Sequence, residues 1–169
     1  MTVDARFCPR CGAPLPARPP TRCEKCGYAL FVNARPTATV IILDAGGRRF
    51  LALRRAVEPR SGRWELPGGF CDGWEHPRAA AVREAREELG VEVVVHNLVA
   101  MYVGSYEYQG ETLPVLDTFW LAGIVAGEIR LSPESSEYGW LPLDGTPPLA
   151  FETMDSAIRD VRAGTGTNV

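Results

Sequence analysis

Lysine is almost missing from this 169-residue chain. Lys25 stands alone, and the other 17 of the 18 basic residues are arginine. We read that skew as genomic base composition, not as function. No apolar run approaches the roughly 18 residues that a membrane-spanning helix requires. The opening residues, MTVDARFCPRCG, lack the cationic-then-apolar pattern of a secretory signal. No internal repeat or low-complexity tract occurs. No charge dominates either. The net charge of −3 gives no general attraction for nucleic acid, although a local basic patch is compatible with that total. Together these absences predict a soluble, cytoplasmic protein. What is present is ordinary globular material: 46% hydrophobic and 23% charged residues. That excludes a disordered, collagenous or fibrous chain. The length suits one domain, or one domain with a small appendage.

Five cysteines are an awkward number for disulfides. Four of them form two CxxC pairs, Cys8/Cys11 and Cys23/Cys26. A CxxC turn brings two thiolates within reach of one ion, and two such turns facing each other give the tetrahedral four-sulfur cage that Zn²⁺ accepts. Gly12 and Gly27 follow the pairs and let the backbone close each knuckle. The reading is a structural Zn²⁺ site that contributes folding energy. Two disulfides or four buried thiols are the alternatives. Residues 1–33 also hold Pro14, Pro16, Pro19 and Pro20, show no amphipathic period, and are too few to fold on hydrophobic burial alone. Arg6, Arg10, Arg18, Arg22 and Lys25 lie here. Aromatic residues to stack bases are few, so nucleic acid is not expected as a partner.

Beyond a link at residues 34–36, Thr37–Asp44 reads as a buried strand and Arg49–Leu53 as its return. Residues 56–63 read as loop. Trp64–Leu66 is a short extended piece leading into a sharp Pro67-Gly68-Gly69 turn. A helix is expected over Pro77–Leu89, with Pro77 in its first turn and Gly90 as its stop. Val91–Val95 and Leu98–Tyr108 read as two strands, followed by a Gln109-Gly110 turn. Val115–Val125 and Tyr138–Leu141 are further strands. Phe151–Arg162 is an amphipathic helix, and the last seven residues a loose tail. This order is not a regular strand–helix alternation. It predicts an α+β fold whose mixed sheet carries helices on its faces.

The helix carries the chemistry. Glu84 lies three residues before Glu87 and four before Glu88, so the three carboxylates share a face. Like charges at these spacings repel by about 0.2–0.5 kcal/mol per pair. A bound Mg²⁺ or Mn²⁺ would turn that repulsion into a set of hard oxygen ligands. A solvated helix paired to Arg78, Arg83 and Arg86 is the alternative. The preceding Leu66-Pro67-Gly68-Gly69 favours the metal, because it lets backbone approach an ion closely.

The spacing over residues 69–91 resembles the Nudix box, GX5EX7REUXEEXGU. The match falls at Gly69, Glu75, Arg83, Glu84, Glu87, Glu88, Gly90 and Val91. Ala85 departs from it, where a larger aliphatic residue is usual, and Trp74 stands where many members have glycine. The chain as a whole is similar to the zinc-ribbon Nudix hydrolases. It has the ribbon, a strand pair, Gly62, Trp64 and Leu66–Gly69 before the box, then later strands and a terminal helix. The resemblance implies a Nudix α/β/α sandwich (α/β in the broad sense) over residues 36–165, preceded by a zinc ribbon over residues 1–33. It implies hydrolysis of a nucleoside diphosphate linked to another group, by metal-activated water. Glu84, Glu87, Glu88 and the Gly68 carbonyl would hold Mg²⁺ or Mn²⁺. Arg83 would orient the glutamates and Glu75 would close the loop–helix geometry.

The general base stays open between Glu84 or Glu88 and a later glutamate, Glu134 or Glu137. A solvated loop is the alternative for the last two. Arg54, Arg55 and Arg63 are candidates for an outer phosphate, or surface charges. Tyr102, Tyr106, Tyr108, Phe119 and Trp120 are candidates for base stacking, or strand packing, with Tyr106 and Trp120 put forward. The array SQPWPFPxS of NADH-cleaving relatives is absent after the box, which argues against NADH. FAD, ADP-ribose and NAD(H)-like molecules are the first candidate substrates. A triphosphate or dinucleoside polyphosphate hydrolase, and a non-catalytic nucleotide sensor, are the alternatives. The resemblance also admits a homodimer through the ribbon or an edge strand. Cys71, the odd thiol, is assigned no role.

Overall fold

A computed structural model describes residues 5–164. The expected tail lies outside the described residues from 165 onward. The chain begins with a two-strand ribbon, β1 (Thr21–Arg22) and β2 (Ala29–Leu30). Next come β3 (Arg35–Ile42), β4 (Arg49–Arg55), β5 (Trp64–Glu65), β6 (Gly68–Phe70) and α1 (Pro77–Leu89). The chain continues through β7 (Glu92–Tyr108), β8 (Glu111–Ala126), β9 (Ser135–Pro142) and α2 (Glu152–Arg162). A four-stranded mixed sheet has the order β6-β3-β8-β7, with β3 and β8 parallel. A three-stranded sheet has the order β5-β4-β9. The α+β fold with a mixed sheet is as expected. Among the described residues, no helix is long and apolar enough to cross a membrane.

Two cores explain why β3 and β4 read as continuous apolar runs. Side chains alternate across a strand, and both faces of these strands are covered. Ala38, Val40, Ile42, Leu51 and Leu53 face α1. Ile41, Phe50 and Ala52 face α2. The α1 face is built of Ala80, Ala81, Ala85 and Leu89, all fully buried. The small Ala85 is therefore core. The α2 face uses Met154, Ala157, Ile158 and Val161, at the 3-4-7 spacing of one helical stripe. His76 caps α1, its Nδ1 accepting from the Arg78 amide at 3.1 Å, and Gly90 ends it in the left-handed region.

Two expectations need correction. Val91–Val95 and Leu98–Tyr108 are one strand, β7. The interruption at His96-Asn97 is absorbed as register shifts against β8, between Val95 and Leu98 and between Leu98 and Ala100. The turn Gln109-Gly110 closes this hairpin with φ of 50° and 81°, the double positive φ of a tight hairpin. Residues 68–70 are also not simply a turn. They form β6, which pairs antiparallel with β3 through Thr37–Phe70, Ala38–Gly69 and Thr39–Gly68.

Glycine is required in β6. Gly68 has φ 154°, and a Cβ there would sit 2.6 Å from the Thr39 Cα. A Cβ on Gly69 would sit 2.6 Å from Glu84 Oε1. Gly68→Ala should therefore lower the unfolding free energy by about 1–3 kcal/mol, the usual cost of overpacking. Urea denaturation measures it, and an unchanged midpoint would show that β6 has room to shift.

Candidate active site

The strand β6 and helix α1 meet where the glutamates are. The Gly68 amide donates to Glu88 Oε2 at 2.8 Å. Arg83 holds the rest of the cluster. Its Nε and Nη2 donate to the two Glu75 oxygens at 3.0 and 2.8 Å. Its Nη1 donates to Glu84 at 2.8 Å and Glu87 at 3.0 Å, and Nη2 also reaches the Phe70 carbonyl at 3.0 Å. Only a planar guanidinium can serve these acceptors at once. The Asp72 amide donates to Glu75 at 3.1 Å and ties the loop down. Arg83 accordingly holds Glu75 below the usual carboxylate range, and these carboxylates push Arg83 upward.

Above the cluster lies a cleft of about 530 Å³. Glu84, Glu87, Glu88, Gly68 and Gly69 form its floor, and Thr37, Thr39 and Asp117 one side. Glu58, Glu65, Glu134 and Arg55 also line it, so seven carboxylates face one arginine. An aromatic wall completes it. Tyr106 sits edge-on to Phe70 at 5.4 Å between ring centroids, and 5.6 Å from Phe151. Arg55 lies over the Phe151 ring at 5.4 Å and pairs with the buried Glu65. Its Nε donates to the Pro59 carbonyl at 2.7 Å.

Burial sets the electrostatics. It lifts Glu65 to about 7, against the opposing pull of Arg55. It lifts Glu88 well above the carboxylate range, helped by the charge of Glu65, and lifts Glu84 less, because Arg83 opposes it. The charge of Glu134 pushes all three upward.

The other expected site residues divide. Arg55 and Tyr106 line the cleft. Arg63 lines an adjoining cavity of about 590 Å³ that shares Ser105, Phe151 and Thr153 with the cleft. Arg54 and Glu137 are not brought there. They pair with each other at 2.7 Å, each about half exposed. Trp120 is not in the cleft either. It packs against the α1 core and donates to Thr118 Oγ1 at 3.0 Å. Tyr102 bonds to Asp160 on α2, and Phe119 is core. Cys71 is half-buried, its thiol pushed up by burial. Sequence reasoning missed Glu65, Asp117, Thr37 and Phe151. A lone acid within the apolar run Val115–Val125 was a usable signal for Asp117. Glu65 carried no signal of its own, because its burial depends on which way β5 faces.

Away from the cleft, the four cysteines bring one sulfur each within 4.8 Å of one another; among the described residues they are the only such metal-ligand group. Cys8 and Cys26 sulfurs are 3.7 Å apart, as are Cys11 and Cys23. That distance is far too long for a disulfide. It matches the edge of a tetrahedron with metal–sulfur bonds of about 2.3 Å, which is about 3.8 Å. Gly12 and Gly27 adopt φ of 69° and 71° and donate back to Cys8 and Cys23 carbonyls at 2.8 and 2.9 Å. The Cys23 thiol is lowered to about 7, foremost by the Cys26 amide. The disulfide alternative falls, and the four-cysteine cluster could bind a metal ion.

A two-layered core around a mixed sheet, with a glutamate-bearing helix opening into an acidic cleft, defines a Nudix-type hydrolase. The chain belongs to the NUDIX family, since the NUDIX domain profile matches residues 33–161. It is 26% identical over 126 residues to the ADP-ribose pyrophosphatase of Methanocaldococcus jannaschii, covering 74% of this chain and 72% of that protein. It is 32% identical over 148 residues to the NAD-capped RNA hydrolase NudC of Pseudomonas aeruginosa, covering 85% of this chain and 50% of that protein. The fold is similar to a Nudix hydrolase from Nitrosomonas europaea, with a TM-score of 0.73, 22% identity, and coverage of 96% of this chain and 95% of that one.

The raised carboxylates give a pH dependence. Glu65, Glu84 and Glu88 bind protons more tightly folded than unfolded. The folded chain therefore holds the excess of protons between the ordinary value of 4.5 and, for Glu65, about 7. Stability falls as pH rises through that window. Urea midpoints of the metal-free protein should drop from pH 5 to pH 8, and a rise would contradict this electrostatic picture.

Proposed function

We propose that this Nudix hydrolase cleaves the pyrophosphate of an ADP-containing dinucleotide or sugar, such as FAD or ADP-ribose, releasing AMP. The observation that carries the reading is the pairing of the carboxylate floor with the aromatic wall of Phe70, Tyr106 and Phe151 in one cleft. The floor suits a charged diphosphate only with cations between them. The wall suits a flat base. The similarity to an ADP-ribose pyrophosphatase points the same way.

The donor set fits Mg²⁺ or Mn²⁺. All candidate ligands are hard oxygens, from Glu84, Glu87, Glu88 and the Gly68 carbonyl. Burial makes the bare carboxylates of Glu84 and Glu88 unfavourable, and a divalent cation would offset that. When bound, the metal supplies charge neutralisation and an acidified water. Arg83 and Glu75 hold the glutamates in position. Glu134 is the proposed general base in place of Glu137, because it lines the cleft while Glu137 is tied to Arg54. Arg55 is proposed to meet a substrate phosphate. Residues 36–165 would form the hydrolase domain and residues 1–33 a ribbon holding structural Zn²⁺.

The first test incubates the protein with Mg²⁺ and FAD, ADP-ribose, NADH, diadenosine polyphosphates or nucleoside triphosphates, identifying products by mass. AMP from one of the first three is expected. Glu87→Gln and Glu88→Gln should abolish it, and Glu134→Gln should cut kcat about 10²-fold or more while Glu137→Gln leaves it unchanged. Pyrophosphate from a triphosphate would favour a sanitising hydrolase. Bound nucleotide without turnover would favour a sensor. Separately, metal analysis should find one zinc per chain, lost in Cys23→Ser together with the fold of the ribbon.

A further inference from the structure

The chain's charge is split between its two parts. Residues 1–33 hold five cations and two carboxylates, a net +3, so the remaining 136 residues carry −6. Arg6, Arg10, Arg18, Arg22 and Lys25 are all exposed. The same short segment leaves its three aromatic rings in solvent: Phe7 is 63% exposed, Phe31 65% and Tyr28 37%. A segment this small has little core, so burying its rings would be the cheapest stabilisation open to it. The fold instead spends its interior on Cys8 and Cys23, which are 2% and 1% exposed. Phe7 directly precedes Cys8 and Tyr28 follows Cys26 by two residues. The two sulfurs lie 3.7 Å apart, so these rings flank one site. Phe31 follows directly on β2.

Exposed rings among exposed cations have a definite chemical complement. Phosphates spaced along a chain answer the cations, and unpaired bases answer the rings. An acidic protein would answer only the charge, and an apolar partner only the rings. We propose that the four-cysteine ribbon is a binding surface for single-stranded nucleic acid. The acidic cleft of the other part repels phosphate in the absence of metal, which confines the strand to the ribbon. The rarity of aromatics in this segment argued against such a partner from sequence. Their exposure reverses that argument. The surface is independent of the substrate proposed above.

The test uses the full-length, zinc-loaded protein and fluorescent twelve-residue oligo(U) and oligo(dT), read by anisotropy. Binding should weaken with salt, with a log–log slope of about −3 for four or five phosphate contacts. The double variant Phe7→Ala/Phe31→Ala should weaken it about tenfold or more, and Arg10→Glu/Lys25→Glu should abolish it. Each variant should keep its zinc and its hydrolysis of a free nucleotide. Tighter oligo(U) than oligo(dT) binding would identify RNA, and equal binding would identify single strands of either kind. No binding at 50 mM salt, or binding unchanged in both double variants, would overturn the proposal. So would a dimer that the same substitutions dissociate while oligonucleotides fail to bind, because the ribbon would then face a second copy.

Discussion

Strand β6 is the edge strand beside β3 and also touches α1, where the backbone of β3 excludes a side chain at Gly68 and the Glu84 carboxylate crowds one at Gly69. This contact fixes much of the site. Glycine brings the main chain against the carboxylate face of the helix, so the Gly68 amide can reach Glu88. The alanines of α1 act from the other side, since Ala80, Ala81 and Ala85 let the helix lie close over the sheet. Small residues on both partners thus deliver large acidic groups to one place. Arg83 then spans the junction, joining the loop through Glu75 and Phe70 to the helix through Glu84 and Glu87.

The cost of that arrangement is electrostatic. Seven carboxylates line a cleft with one arginine; Glu65 is buried, and Glu84 and Glu88 partly so, where charge is poorly solvated. Folding tolerates this because Arg83 and Arg55 each neutralise part of the set, and because burial lets Glu65 and Glu88 hold protons more tightly than exposed carboxylates do. An acidic cleft that binds its own protons tightly is a poor place for a phosphate and a good one for divalent cations. The stability and the chemistry of the site therefore rest on the same groups. The aromatic wall needs no charge, and it draws on three separated stretches: β6, β7 and the segment before α2.

The ribbon solves a different problem. It has too few apolar residues for a core, so buried cysteines fill its interior, and its rings and cations remain outside. The four sulfurs stand at tetrahedral spacing, and left-handed glycines close both knuckles. The chain's modest net charge conceals a basic part and an acidic part with separate surfaces.

Local chemistry was legible from sequence wherever a contact lies within a few residues. The CxxC knuckles, the Pro77 start and Gly90 stop of α1, the shared face of Glu84, Glu87 and Glu88, and the turn at Gln109-Gly110 are all short-range, set by backbone geometry and spacing. The continuous apolar runs of β3 and β4 likewise announced buried strands. What the sequence could not settle depends on partners far away in the chain. Glu134 and Glu137 look equivalent in a polar loop, yet the register of β9 on β4 sends Glu137 to Arg54 and leaves Glu134 in the cleft. Tyr106 and Trp120 both sit on long strands, and only the pairing of β7 with β8 decides which ring faces the cleft and which faces α1. Two residues of shift would exchange neighbours, and one would exchange faces. Composition and spacing thus determined the chemistry available to this protein. Tertiary register decided which of the candidate groups could meet, because side-chain direction in a sheet is fixed only once the strands are paired.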